Sequence, residues 1–306
     1  MSWSRSGAAT RRPPSGPVPS ARSSASRTGR CASRTCSSPT TPTPTRWKEA
    51  TVAAALESET GGHAPRDGAG AALVIGGSGA VGAAVVQLLL ERGHRVVATS
   101  TTGTGPAAPD LTWTRFDARS GDDLGGLAAA VGQHLGVMVF AAGAASSKAR
   151  LDATSPAELS DLFTVNAGAL HQMWRAVHPA ARSGRARVVV LSSQAAATCT
   201  PGNGAYSASK AALEALAWTL AKEEAGHGVR VNVVAPSLIC SPMAEQILAR
   251  KGITDPADYY ARLPWGRALS IDEVAQTTVA VVCDPSWQYV SGQIIRLDAD
   301  IPGDLP

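Results

Sequence analysis

The sequence lacks any apolar run long enough to cross a bilayer, which takes roughly 20 residues in a helix. Its longest such run, residues 83–90, is interrupted by Gln87. Cysteine is scarce and irregularly spaced, with no Cys-x-x-Cys pair and no histidine cluster nearby. We therefore expect no membrane span, disulfide framework or metal site, and interpret the cysteines as reduced thiols of a cytoplasmic protein. The five cysteines are Cys31, Cys36, Cys199, Cys240 and Cys283.

Acidic residues are absent from the first 46 residues, which carry eight arginines. Because the whole chain has a formal charge of +4, the remainder carries −4. Residues 1–66 are rich in Ser, Thr, Pro and Gly, which predicts a low-complexity, disordered extension. The same composition superficially resembles an organelle transit peptide, so a targeting role stays open. The segment lacks regularly spaced aromatic residues, and no nucleic-acid partner is expected.

From Ala71 onward, short aliphatic and β-branched runs alternate with segments of helical length. This pattern is typical of βαβ units, in which a parallel sheet is covered by helices on both faces. We predict an α/β fold: a single doubly wound, Rossmann-like domain over residues 67–306 with a seven-stranded, mainly parallel sheet. The strand candidates are Ala71–Ile75, Arg95–Ala98, Leu111–Phe116, Val137–Ala141, Arg187–Leu191, Val229–Val234 and Ile294–Leu297.

A glycine-rich turn joins the first strand to the first helix. Such a turn lets the backbone approach a pyrophosphate closely, and the free N–H groups of the helix N-terminus favour an anion. A glycine-rich structural turn is the alternative, but the strand-turn-helix context favours dinucleotide binding. The candidate cofactor-binding residues in this turn are Gly76, Ser78, Gly79, Ala80, Val81 and Gly82.

The end of the second strand indicates which nucleotide is preferred. An NAD site usually has a carboxylate there, but this strand runs into Thr99, Ser100 and further hydroxyl residues. The missing acid removes repulsion against a 2′-phosphate, and the hydroxyls can donate to it. We expect NADPH, with NADH possible, since no arginine lies in this turn. Asp117, after the third strand, either contacts the adenine or caps a helix.

Tyr206 and Lys210 are four residues apart in a segment that begins a helical pattern, so both side chains lie on one face. A nearby cation stabilises phenolate and is expected to lower the pKa of the tyrosine, which makes it an acid for carbonyl reduction. Ser193 follows the strand at residues 187–191 and is placed to donate a second hydrogen bond to the developing oxyanion. Tyr-x-x-x-Lys alone is a common accident; the combination of motifs carries the interpretation.

The order and spacing of these motifs resemble the short-chain dehydrogenase/reductase family over nearly the whole predicted domain. They are the turn at 76–82, Asn166, Ser192-Ser193, the segment Tyr206–Lys210 and the segment Asn232–Pro236. The resemblance implies a catalytic tetrad of Asn166, Ser193, Tyr206 and Lys210, in which Lys210 also binds ribose hydroxyls and Asn166 holds a relay water. It further implies that the cofactor lies against Ala141, Ala142, Gly143, Pro236, Ser237, Ile239 and Ser241.

Several positions depart from the family pattern. Ile75, Ala80 and Ser237 replace a threonine and two glycines, none of which supplies a reacting group. Phe140 and Ala141 stand where the family commonly has two asparagines, which puts some hydrogen bonds between strands in doubt.

The resemblance implies an NADP(H)-dependent ketoreductase, closest to 3-oxoacyl-[acyl-carrier-protein] reductases and secondary-metabolite ketoreductases. Its substrate would be a small-molecule or carrier-protein-bound ketone, and the assembly a homodimer or homotetramer. An NAD-dependent secondary alcohol dehydrogenase, a non-catalytic nucleotide-binding regulator and a nucleic-acid-binding protein are the alternatives. Residues 238–263 are expected to cover the substrate, their apolar side chains either lining its pocket or packing as a core. Four basic residues either form a docking patch for an acidic carrier protein or are merely solvated surface charge: Arg150, Arg175, Lys222 and Arg230.

Overall fold

The structure is a computed structural model that describes residues 70–120, 124–250, 252–263 and 265–298. The predicted extension at residues 1–66, and the predicted start of the domain at residue 67, lie outside the described residues. Within those residues, seven strands form one sheet in the order β3-β2-β1-β4-β5-β6-β7, and every pairing is parallel. The strands are β1 Ala71–Ile75, β2 Val96–Ser100, β3 Leu111–Arg115, β4 Leu135–Phe140, β5 Arg187–Leu191, β6 Arg230–Pro236 and β7 Ile294–Leu297.

Helices connect the strands. A π-helical turn, Thr164–Gly168, joins α3 to α4, and short 3₁₀ turns lie at Ala225–His227 and Pro285–Trp287. The α-helices are α1 Ala80–Glu91, α2 Gly125–Val131, α3 Pro156–Phe163, α4 Ala169–Gly184, α5 Ala195–Thr198, α6 Gly204–Glu223, α7 Pro242–Arg250, α8 Pro256–Ala261 and α9 Ile271–Cys283.

The core is divided between the two faces of the sheet because successive side chains of a strand point to opposite sides. In β1, Leu73 and Ile75 pack in one apolar cluster, whereas Ala72 and Val74 pack in the other. All five residues of this strand are buried, which explains its continuous apolar sequence. Phe140, at a family asparagine position, is also fully buried, so packing takes the place of that amide. The predicted doubly wound sheet is confirmed.

The order in which the chain adds strands to the sheet reverses between β1 and β4. These strands are neighbours, yet β2 and β3 lie on one side of them and β5 to β7 on the other. In such a sheet, the loops after the two central strands diverge and leave a crevice at the carboxyl ends of the strands, where ligands bind. Gly76 and Ala141 are the first residues beyond these strands, so the fold directs attention to that crevice.

Two features are missing from the described residues. No helix among them is long and apolar enough to cross a membrane. They also contain no group of three or more His, Cys, Asp or Glu side chains that could hold a metal ion.

Candidate active site

The glycine-rich turn after β1 is closely packed against its surroundings. Gly76 has a φ of +79°, and a Cβ there would lie 2.8 Å from the backbone nitrogen of Ala142. A Cβ at Gly82 would lie 2.1 Å from the carbonyl oxygen of Gly76. Side chains are therefore excluded at both positions, and the backbone of the turn forms the floor of the crevice.

The N-terminus of α1 opens into this crevice without a cap. Gly79 is the N-cap residue, no side chain accepts a hydrogen bond from the first turn, and that turn has no acidic residue. Ser78, Gly79 and Ala80 are exposed, whereas Val81 is half-buried and Gly82 is buried. The unpaired N–H groups and the positive end of the helix dipole suit an anion. The predicted residues of this turn therefore fit the pyrophosphate of a dinucleotide.

Thr99 and Ser100, which are predicted to contact the cofactor, have hydroxyls that also form hydrogen bonds within the protein. Both residues are buried at the end of β2. The Thr99 hydroxyl accepts a hydrogen bond of 3.0 Å from the backbone N–H of Gly76. The Ser100 hydroxyl donates to the carbonyl of Thr104 at 2.8 Å and accepts from its N–H at 3.0 Å. The pair braces the loops beside the crevice, and its contact with a 2′-phosphate stays a prediction.

The neighbouring strand brings an arginine to this position. Arg115 ends β3 directly opposite Ser100 in the register of the sheet, and its side chain is exposed. Sequence reasoning missed it because residues 100 and 115 meet only through strand pairing. Asp117 caps a turn: its carboxylate accepts from the N–H of Arg119 at 3.0 Å. This resembles the predicted capping role, although the capped element is a turn and not a helix.

Tyr206, Lys210 and Ser193 come together at the carboxyl edge of the sheet. Tyr206 lies in the first turn of α6, and the ammonium nitrogen of Lys210 is 5.9 Å from its ring centroid. The same ammonium donates a 3.0 Å hydrogen bond to the carbonyl of Leu191, the last residue of β5. Ser193 follows two residues later, and its hydroxyl hydrogen-bonds the phenol. The predicted serine, tyrosine and lysine therefore form one cluster.

Burial dominates the electrostatics of this cluster. It raises the pKa of the Tyr206 phenol, and the hydrogen bond from Ser193 opposes the rise. This differs from the predicted lowering by Lys210, because the desolvation of a phenolate outweighs the neighbouring groups. Burial also lowers the pKa of Lys210 to about 8, against the attraction of Glu214, which raises it.

Asn166 lies in the π-helical turn and is fully buried. Its amide oxygen accepts from the N–H of Ala144 at 2.7 Å, and its amide nitrogen donates to the carbonyl of Ala144 at 3.2 Å and to the hydroxyl of Ser209 at 2.9 Å. The side chain thus ties the loop after β4 to α6. It lies beside Lys210: a Cβ at Gly143 would be 3.4 Å from both its amide oxygen and the Lys210 ammonium.

The segments predicted to lie against the cofactor flank the same crevice. Ala141, Ala142 and Gly143 follow β4, and the N–H of Ala141 donates to the carbonyl of Ile75 at 2.8 Å. After β6, the carbonyl of Pro236 accepts from the N–H of Gln194 at 2.9 Å, which ties this segment to the loop that carries Ser193. The other predicted residues have structural contacts: the N–H of Ser237 donates to Leu297, Ile239 forms a β-bridge with Leu269, and the Ser241 hydroxyl accepts from Ala244.

Two short helices, α7 and α8, form the segment expected to cover the substrate. Leu248 is buried whereas Met243 is 45% exposed, so each of the two predicted roles for the apolar side chains describes part of the segment. On the facing loop after β4, Lys148 holds its ammonium 5.7 Å from the Tyr206 ring centroid. Arg250 of α7 donates to the carbonyl of Ser146 in that loop at 2.9 Å.

The four basic residues considered as a docking patch do not share one edge of the sheet. Arg230 is the first residue of β6 and therefore lies at the amino edge, opposite the carboxyl edge that carries Ser193. Lys222 lines a surface cavity together with Arg230. Arg150 is close to the catalytic side, since it follows β4, and its guanidinium pairs with Asp152 at 3.3 Å. Arg230 thus lies away from Ser193, with Lys222 in the same cavity, and the docking patch stays a prediction.

Comparison with known proteins agrees with this arrangement. A family profile described as Enoyl-(Acyl carrier protein) reductase matches residues 76–299. Carbonyl reductase family member 4 of Danio rerio is 30% identical over 246 residues, covering 75% of this chain and 97% of that protein. A 3-oxoacyl-[acyl-carrier-protein] reductase of Bos taurus is 30% identical over 240 residues, covering 74% and 96%. A tropinone reductase homolog of Arabidopsis thaliana is 32% identical over 174 residues, but this chain spans only 62% of that relative's length.

Solved structures share the same architecture. An oxidoreductase of the short-chain dehydrogenase/reductase family from Burkholderia thailandensis superposes with a TM-score of 0.63 at 26% identity, covering 74% of this chain and 90% of that one. The aldohexose dehydrogenase of Thermoplasma acidophilum, at 22% identity over 78% of this chain and 97% of its own, shares the fold with a TM-score of 0.69. The family profile, the relatives and the site geometry agree, and the chain belongs to the short-chain dehydrogenase/reductase family of NAD(P)-binding oxidoreductases.

Proposed function

We propose that this protein is an NADPH-dependent reductase that converts a ketone to a secondary alcohol, with a β-ketoacyl thioester on a carrier protein or a secondary-metabolite ketone as substrate. The observation that carries the proposal is the cluster at the carboxyl edge of the sheet. There Ser193 bonds the Tyr206 phenol, and Lys210 is fixed to Leu191 beside them. A cofactor-binding protein without catalysis would not need this group of proton donors.

The side chains would divide the reaction between them. A bound nicotinamide cofactor supplies the hydride. Ser193 donates a hydrogen bond to the substrate carbonyl and holds it against Tyr206. As negative charge develops on that oxygen, the phenol of Tyr206 transfers its proton to it, which completes the alcohol. The Lys210 ammonium stabilises the phenolate left behind, and its buried position keeps water from screening the charge.

The preference for NADPH is supported by charge. No carboxylate follows β2, and Arg115 of β3 is opposite Ser100 in the register of the sheet. A guanidinium suits a phosphate because it donates two parallel hydrogen bonds. With Thr99 and Ser100 engaged internally, Arg115 is the better candidate for contact with the 2′-phosphate.

The choice of substrate is supported by the relatives and by the covering helices. The bovine relative is named as a 3-oxoacyl-[acyl-carrier-protein] reductase, and the Danio rerio relative as a carbonyl reductase. Helices α7 and α8 carry Met243 and Tyr259 at the surface or half-buried, suitable for the apolar part of a ketone. Arg150, which follows β4, and Arg250 of α7 are the candidates nearest the reaction for contact with an acidic carrier protein.

The test is a cofactor-oxidation screen over small ketones and β-ketoacyl thioesters, with NADPH and NADH in parallel. We expect turnover with NADPH and a loss of kcat on the order of 10²- to 10⁴-fold in Tyr206→Phe, because the variant cannot donate the proton. The variant should still bind nucleotide, as measured by titration of NADPH fluorescence. Binding without turnover in the wild-type protein would favour a regulator, and a strong preference for NADH would contradict the cofactor assignment.

We further infer that the protein is a homo-oligomer. A groove on α3, the π-helical turn and α6 exposes apolar and small side chains. Phe163 and Leu216 are 38% and 39% exposed there, and their neighbours are too small to cover them. A second copy with the same groove would bury both faces, as the symmetric interfaces of most homodimers do.

A further inference from the structure

Glu214 is a buried carboxylate that the proposed reaction does not use. It lies on α6 one turn after Lys210, and only 9% of its surface is exposed. Its carboxylate accepts a 2.7 Å hydrogen bond from the hydroxyl of Ser192, which is also buried. A buried charge is costly unless it has partners, so the presence of this acid beneath a catalytic centre calls for a physical reason.

The reason lies in what the end of β5 holds. The carbonyl of Leu191 accepts from the Lys210 ammonium at 3.0 Å, and the next residue, Ser192, donates to Glu214. The cation and the anion are thus anchored to consecutive residues, and both come from one face of α6. The third consecutive residue is Ser193, the predicted hydrogen-bond donor to the substrate. One strand end therefore connects Glu214 to the reacting groups.

Other charged groups lie on the elements packed against α6. Strand β6 carries Arg230 at the opposite edge, and the described residues of α5 and of the π-helical turn carry no charge. Glu214 is the charged group whose attraction raises the pKa of the Lys210 ammonium against the effect of burial. Three of the remaining groups are bonded to other side chains: Glu158 to Ser147, Asp161 to Arg119 and Arg182 to Glu224. The others are His171, Arg175 and His178 of α4, His227 of the 3₁₀ turn, and Lys148, whose ammonium lies over the Tyr206 ring.

We propose that Glu214 is a positioning residue of the reductase centre, whose carboxylate keeps the Lys210 ammonium charged and fixed at the end of β5. This inference rests on the proposed function for its catalytic meaning, but its electrostatic content is independent of it. Burial lowers the pKa of Lys210 to about 8, close to working conditions, and the attraction of Glu214 is what opposes a further fall. Without the carboxylate, a large share of the protein would lose the Lys210 charge at neutral pH.

The experiment measures the titration of Lys210 directly. The full chain contains five lysines, so labelling lysine with ¹³C at Cε gives few NMR signals, and the Lys210 signal is assigned by its loss in Lys210→Met. Glu214→Gln keeps an oxygen acceptor for Ser192 but removes the charge. We expect its Lys210 midpoint to fall by about 1 pH unit or more. Glu223→Gln, an exposed position on the same helix, is the matched control and should leave the midpoint unchanged.

Kinetics provide a second readout that a merely structural role would not move. In Glu214→Gln, kcat should approach the wild-type value near pH 6 and fall about fivefold or more below it near pH 8, because only the charge state of Lys210 changes. A deficit equal at both pH values, or an unshifted NMR midpoint, would overturn the proposal. If Glu214→Gln does not fold, Glu214→Met, which is apolar and of similar length, is held to the same criteria. A protein without reductase activity that still shows the midpoint shift would refute the proposed function but not the role of Glu214.

Discussion

Lys210 carries a buried charge that the proposed reaction needs but that lowers the stability of the fold. Its ammonium is buried, with 4% of its surface exposed, and burial lowers its pKa from 10.5 to about 8. Between these two values the unfolded chain binds a proton that the folded chain lacks. The free energy of unfolding must therefore increase as the pH rises through this window, whereas below pH 8 the full cost of the buried charge is present.

Removing this charge should flatten the pH dependence of stability. Comparing Lys210→Met with wild type, we expect the rise in unfolding free energy between about pH 8 and 10.5 to shrink by about 3 kcal/mol. Chemical denaturation at several pH values measures it. Lys222→Met, exposed on the same helix, should retain the wild-type slope. Equal slopes in wild type and Lys210→Met would mean that the Lys210 pKa is not lowered by folding.

Sequence reasoning at the residue scale found the reacting groups but not their supports. Tyr206 and Lys210 are adjacent on one helix, so local spacing is sufficient to pair them. Glu214 fits the same helical spacing, yet the sequence alone gives no reason to expect a buried acid there. Its burial follows from the packing of α6 against the end of β5. Arg115 carries no local signal at all, because only the register of two strands places it opposite Ser100.

The glycine-rich turn packs against the start of α1 so closely that there is no room for a side chain at Gly82. A Cβ at Gly82 would meet the backbone oxygen of Gly76, which cannot move without disturbing β1. Gly126 in α2 offers the opposite case, since a Cβ there would meet nothing within 4 Å. The two glycines differ in tertiary surroundings although both lie in the first turns of helices.

Substituting alanine at these two glycines should have effects of opposite sign. Gly82→Ala is expected to destabilise the fold by about 1–3 kcal/mol through overpacking and to weaken nucleotide binding. Gly126→Ala should stabilise it by about 0.5–1 kcal/mol, since alanine favours a helix. Thermal unfolding and NADPH titration measure both effects. If Gly82→Ala were as stable and bound nucleotide as tightly as wild type, the close packing of the turn would not matter.

The helix-length segments between the strands were predictable, but their local irregularities were not. Seven strands and the helix-length segments between them follow from the alternation of short apolar runs with longer stretches, and the strand ends differ from expectation by two residues at most. The π-helical turn at Asn166 has no such signature. The Asn166 side chain within it bonds Ala144 and Ser209, which are remote in sequence, so these contacts have no local signal.

Self-association is a property of the whole molecule, and the groove containing Phe163 and Leu216 is the place to test it. Leu216→Lys places a charge in the proposed interface, where it would be buried without a partner. We expect this variant to have the mass of a single chain by light scattering, and wild type to have a multiple of it. Glu223→Lys, exposed on the same helix, should keep the wild-type mass. An unchanged mass in Leu216→Lys would place any interface elsewhere.

The sequence by itself determined the sheet, the glycine-rich turn and the pairing of Tyr206 with Lys210. These features follow from local residue patterns, such as the period of two residues in a strand and of 3.6 in a helix, which can be recognised along the chain. Only the tertiary structure decided that Thr99 braces the turn, that burial raises the Tyr206 pKa, and that the Glu214 carboxylate attracts the Lys210 ammonium. Each of these depends on which atoms exclude water or meet across the crevice, and those neighbours are far apart in sequence.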